Sequence, residues 1–190
     1  MKIFLSKIGA ARRQLLEAIN LFFEERDPVS IHTLIGASLG ILHDHFDMDA
    51  AWDSNLWFHP KSIYIKEEFR DYWIKKIRKA QNYFKHADRD LAQGRDEIEF
   101  ETDMNIFSII EAIKCLRILE ATQFEFSPEF DVFMKWVALK FPQIIKDNSY
   151  TINLVQHNID PNDFQAFRIA IQLQKEHPEL ANQVDSELDT

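Results

Sequence analysis

Glycine and proline are scarce in this chain, with 4 Gly and 6 Pro among 190 residues. A many-stranded β protein needs turn positions with φ > 0 about every ten residues, and Gly supplies most of them. The scarcity therefore argues for helices. A single cysteine, Cys115, leaves no internal disulfide to form and no cysteine pair for a structural zinc cluster. Set between Lys114 and Leu116 in a helix-like apolar pattern, it reads as a small core residue rather than a reactive thiol. No apolar run approaches the roughly 18 residues of a membrane span, and Met1–Ala11 holds no apolar stretch of signal-peptide type. We expect a cytoplasmic protein without a membrane partner. A glycine-rich phosphate loop and a Gly-x-Ser-x-Gly elbow are also missing, so nucleotide-dependent phosphoryl transfer and serine hydrolase chemistry have no support.

Apolar residues, in contrast, are plentiful. They make up 46% of the chain and 16 of them are Phe, enough buried surface to offset the entropy of ordering one domain. We expect that domain over residues 1–177, with 178–190 as a frayed acidic tail. Net charge is −9, which opposes non-specific attraction to nucleic acid. The sign is unevenly spread: Tyr64–Arg89 carries twice as many Lys and Arg as Asp and Glu, whereas Glu176–Thr190 has no Lys or Arg at all.

Apolar spacing of three and four marks the helices. Leu15, Leu16, Ile19, Phe22 and Phe23 define one over Ala11–Glu25. Asp27-Pro28, a capping residue followed by proline, opens a second through Ile31, Ile35, Leu39 and Leu42. The run from His43 to Pro60, with Trp52 and Trp57, has no clean period and reads as an ordered loop. A long helix is expected over Tyr64–Ala87, then an exposed loop over Asp88–Thr102. Asp103 caps a densely apolar helix, Ser127-Pro128 opens another that Pro142 ends, and Asp160-Pro161 caps a last one stopped by His177-Pro178. The sum is an all-α helical bundle of about five or six helices, with the second helix and the one after Asp103 at its centre.

Two polar constellations could carry chemistry. Arg26 and His32 flank the junction of the first two helices; an arginine can grip a phosphate while a histidine titrating near neutrality moves protons. Cleavage of RNA through its own 2′-hydroxyl needs that pair and no cofactor. On the long helix, Arg78, Asn82, Lys85, His86 and Arg89 recur at three and four residues and form one polar stripe able to face a phosphate backbone. Local ion pairing of Arg26, a packed His32 and a merely solvated stripe account for the same residues.

The segment Asn82–His86 resembles the HEPN domains, short all-α modules of prokaryotic defence and toxin systems, many of them metal-independent ribonucleases that act as homodimers. Their signature is an Arg, four to six residues, then a His, often with a polar residue directly after the Arg. Asn82 and His86 fit it, but Gln81 stands at the arginine position; Arg26 and His32 fit the spacing, but Pro28 falls between them. The resemblance spans roughly Lys7–Glu120. It implies a homodimer, RNA as partner, His86 and His32 with Arg26 in catalysis, and Arg78, Asn82, Lys85 and Arg89 in substrate binding. Gln81 points to an inactive, binding-only relative.

Other readings stay open. An interaction module could dock an acidic protein on the same stripe. His43, Asp44, His45, Asp47 and Asp49 have nitrogen and oxygen donors suited to a transition metal. His43-Asp44 is similar to the HD phosphohydrolases, although only His32 and Asp88 could fill that family's remaining positions. Capping of the second helix explains the histidines without metal, and none is assigned there. Glu97, Glu99 and Glu101 alternate with Ile98 and Phe100 as in an extended segment with its charges outward. Glu111 falls inside the most apolar helix and needs an Arg or His partner if buried. Aromatics around Trp52 and Trp57, with Phe in excess, suggest a homodimer surface.

Overall fold

Ser6 starts the first helix: its Oγ accepts the Gly9 N–H at 3.0 Å, and its carbonyl accepts the Ala10 N–H. The computed structural model describes residues 2–48, 75, 79–84, 97–120, 123–142 and 159–178. Helices α1 (Lys7–Phe23), α2 (Pro28–Met48), α3 (Met104–Glu120), α4 (Pro128–Lys140) and α5 (Phe164–Glu176) follow in chain order. Lys75 and residues 79–84 are helical as well, and no strand occurs among the described residues. The fold class is all-α, as expected. No described helix is long and apolar enough to cross a membrane.

Helix α1 ends in a Schellman motif. The Arg26 N–H reaches the Leu21 carbonyl and the Glu25 N–H that of Phe22, with Glu25 left-handed at φ 54° where glycine is the usual choice. Asp27 then caps α2 as expected: its Oδ2 accepts the Ser30 N–H at 2.9 Å and the Ser30 hydroxyl at 2.7 Å. The stretch from His43, expected to be a loop, stays helical to Met48. No Gly or Pro interrupts it after Gly40, and His43 turns inward toward α3.

The last helix also departs from expectation. Its cap is Asp163, whose side chain accepts the Ala166 N–H at 3.1 Å, not Asp160. Asp160 makes a turn instead, accepting the Asn162 N–H at 2.9 Å, while the Trp136 indole takes the Pro161 carbonyl at 2.8 Å. The Pro161 carbonyl, which a helix opened at Asp160 would use in its first turn, faces the indole instead.

The helices form two compact units, one of Met1–Ala18 and Asp27–Phe124, the other of Ile19–Arg26 and Glu125–Thr190, so α1 contributes to both. In the first unit α2 packs on α3. Ile31, Ile35, Leu39 and Leu42 line the inner face of α2, each worth about 1.5–3 kcal/mol when fully buried. Helix α3 is buried around most of its girth. In the second unit α4 packs on α5, and Phe22 and Phe23 from the end of α1 meet Phe133, Trp136, Phe164 and Phe167 at centroid separations of 5.0–6.2 Å. Many of the phenylalanines are therefore core residues rather than a surface signal.

Of the long helix expected over Tyr64–Ala87, only Lys75 and residues 79–84 are described. The Trp52 and Trp57 run, residues 143–158 and the tail beyond Pro178 lie outside the described residues.

Candidate functional site

His32 sits on the inner face of α2 and is buried. Its Nδ1 meets the Asn105 carboxamide oxygen at 2.8 Å, and Asn105 donates its Nδ2 to the Pro28 carbonyl at 3.0 Å. Asn105 thus ties the first turn of α3 to the first turn of α2. The orientation makes Nδ1 the protonated nitrogen, because a carboxamide oxygen can only accept. Phe100 stands edge-on to the imidazole at 4.9 Å and Phe84 at 5.8 Å, closing a ring of aromatic contact. A cavity of about 110 Å³ lies beside His32, lined also by Lys79, Glu99 and Glu101. That is small beside the roughly 300–1,000 Å³ of pockets for drug-sized molecules.

The other site residues fall elsewhere. Arg26 is exposed in the second unit, beyond the left-handed Glu25, with its Nε 3.4 Å from Glu24. Asn82 is exposed, as are Lys75 and Lys79, at helical intervals of four and three. Ala80 is buried and Gln81, Tyr83 and Phe84 are half-buried, so this helix has an inner and an outer face. Gln81, at the position of the signature arginine, faces inward: its Nε2 and Cδ lie 2.9 and 3.0 Å from where a Cβ would stand at Gly36. A Cβ at Gly36 would have to displace the end of the Gln81 side chain. Arg78, Lys85, His86 and Arg89 lie outside the described residues.

A second cluster joins α2 to α3. Glu111 and Cys115 are one turn apart on α3 and both buried, and His43 of α2 reaches them. His43 Nε2 stands 4.0 Å from Glu111 Oε1, and single donor atoms of His43, Glu111 and Cys115 all lie within 4.8 Å of one another. Glu111 thereby has the histidine that its position demanded. Burial pushes the Cys115 thiol well above its usual range, and the Glu111 carboxylate adds to that rise. A thiol so held stays protonated at neutral pH and is no nucleophile. Asp44, next to His43, is exposed, and Asp49 lies outside the described residues.

Glu97 and Glu99 are exposed and Ile98 and Phe100 half-buried, the alternation expected of an extended segment. Asn105 was not singled out by its sequence context, although an amide at the second position of so apolar a helix is itself a signal of a buried partner. No protein-family model, curated protein or solved structure matches the chain.

Proposed function

We propose that this chain is a HEPN-like, non-cleaving RNA-binding protein, acting in the cytoplasm as a homodimer. The observation that carries the reading is the division of labour among its polar residues. Lys75, Lys79 and Asn82 present donors to solvent on one helical stripe, whereas His32 is buried with its Nδ1 committed to Asn105. Sequence continues the stripe through Arg78, Lys85, His86 and Arg89. An imidazole held between Asn105 and two aromatic rings serves packing better than proton transfer to a substrate. Gln81, turned toward Gly36, removes the arginine that cleavage in such domains implies.

The overall charge of −9 works against RNA, yet the Debye length at physiological salt is about 8 Å. Acidic residues beyond that reach are screened, so the stripe acts mainly against nearby carboxylates such as Glu99 and Glu101, which share the Lys79 cavity. Support for a homodimer comes from Ile169 and Leu173, one turn apart on α5 and each about half exposed.

Fluorescence anisotropy with a labelled single-stranded RNA, across a salt series, tests the reading. We expect binding that weakens steeply with salt and is lost in Lys75→Glu/Lys79→Glu, with His32→Ala still binding in proportion to its folded fraction. Binding indifferent to salt and to both charge reversals would refute it. RNA cleavage in excess EDTA, abolished by His32→Ala in a folded variant, would restore the nuclease reading.

A further inference from the structure

We propose that His43, Glu111 and Cys115 form a binding site for a divalent transition-metal ion of the zinc and cobalt class. The site is independent of the RNA-binding stripe.

Three observations converge. Glu111 and Cys115 are at i and i+4 on α3, the spacing that sets two side chains on one face, and His43 comes from α2, which packs on α3. The donor set is one imidazole nitrogen, one carboxylate oxygen and one sulfur, all within 4.8 Å of one another. Thiolate and imidazole select zinc, cobalt or ferrous iron over magnesium and calcium, which prefer oxygen alone. The separations also leave room for an ion among the three donors. At 4.0 Å, His43 Nε2 and Glu111 Oε1 are too far apart for a hydrogen bond between those two atoms. Tetrahedral zinc, with bonds of about 2.0–2.3 Å, holds its donors roughly 3.3–3.8 Å apart, so an ångström of side-chain rotation closes the three around it.

Charge favours the same occupant. A carboxylate as deep as Glu111, at 1% exposure, gains from positive charge close by. Protonated His43 supplies one unit; a dication supplies two and lets His43 stay neutral. On binding, the Cys115 S–H proton leaves to solvent and sulfur takes the metal in its place, with no change of oxidation state. Net charge over carboxylate, thiolate and dication is then zero, the balance a buried site requires. His43, the most exposed of the three at 17%, faces the route of entry.

Titration of the full chain with Co²⁺ under reducing conditions tests the assignment. Cys115 is the sole cysteine, so a sulfur-to-cobalt charge-transfer band in the near ultraviolet can come from no other residue. We expect that band to saturate at one Co²⁺ per chain and to be displaced by Zn²⁺. Cys115→Ser should remove it, and His43→Gln should weaken affinity by more than the roughly 10–100-fold that loss of a supporting hydrogen bond costs a metal site. Circular dichroism confirms that each variant is folded; if either is not, the wild-type band decides alone. Binding without the charge-transfer band, or no saturable binding, would overturn the site.

Discussion

The two units of this chain bury different chemistry. The second is packed with rings: Phe22 and Phe23 meet Phe133, Trp136, Phe164 and Phe167, mostly edge-on, and the buried charge of Glu129 is matched by Lys175 at 2.6 Å. The first seals polar groups inside an aliphatic interior, among them His32, Ser38, Asn105 and Glu111. Some of these are plain structural ties, as where the Ser38 hydroxyl donates to the Ala11 carbonyl at 2.9 Å. Two of them are assemblies, His32 with Asn105 and His43 with Glu111 and Cys115. A buried polar group costs stability unless it is satisfied, so each of these groups ties its neighbours to one arrangement. Unit two is where stability is simplest to account for; unit one holds both buried polar assemblies.

The sharpest test of that contrast is Trp136→Ala. It removes the ring nearest Phe22 and the hydrogen bond to Pro161, and should cost about 3–5 kcal/mol in chemical denaturation. A loss under 1 kcal/mol would dissolve the distinction. Next is Asn105→Ala, which removes the partner of the His32 Nδ1 and the bond to Pro28 and should cost about 1–3 kcal/mol. Replacing both partners, as His32→Leu/Asn105→Leu, should recover most of that loss, because two apolar groups leave nothing unsatisfied. A double variant less stable than Asn105→Ala would mean that the pair is itself a stabilising device.

Backbone changes should move stability the other way. Glu25→Gly relieves a left-handed residue and should raise stability by about 1 kcal/mol, read as an upward shift of the thermal midpoint. Gly40→Ala in the first unit should gain about 0.5–1 kcal/mol, since nothing lies within 4 Å of the added methyl group; Gly36→Ala should gain less, its Cβ meeting Gln81. The smallest effect is a pH dependence. Hydrogen bonds from the Ser30 hydroxyl and N–H hold the Asp27 carboxyl below its usual range. Its contribution is complete above the ordinary carboxyl pKa and fades as pH falls through the lower folded value. Ser30→Ala should flatten the acid limb of a stability-against-pH profile.

Local chemistry explains which features were legible in the sequence. Asp27-Pro28 and Ser127-Pro128 mark helix starts because proline at the first position needs no N–H partner, and both starts stand where expected. Asp160-Pro161 has the same form, but there the Pro161 carbonyl accepts the Trp136 indole N–H and the helix starts at Phe164. That indole lies 25 residues away, out of reach of a local pattern. The site divides the same way. Glu111 announced its need for a partner by standing in an apolar helix; which histidine answers, and that Cys115 joins it, follows only from the packing of α2 on α3. His32 stood out by its titratable ring, while Asn105, 73 positions further on, holds that ring in the folded chain.

The sharing of α1 has a consequence for the chain during its synthesis. Phe22 and Phe23 leave the ribosome before the rings that cover them, Phe133, Trp136, Phe164 and Phe167. At about 5–20 residues per second, the gap from Phe23 to Phe167 takes roughly 7–30 s to translate. Throughout that interval two phenylalanines wait uncovered at the end of the first helix, a natural handhold for a chaperone on the nascent chain.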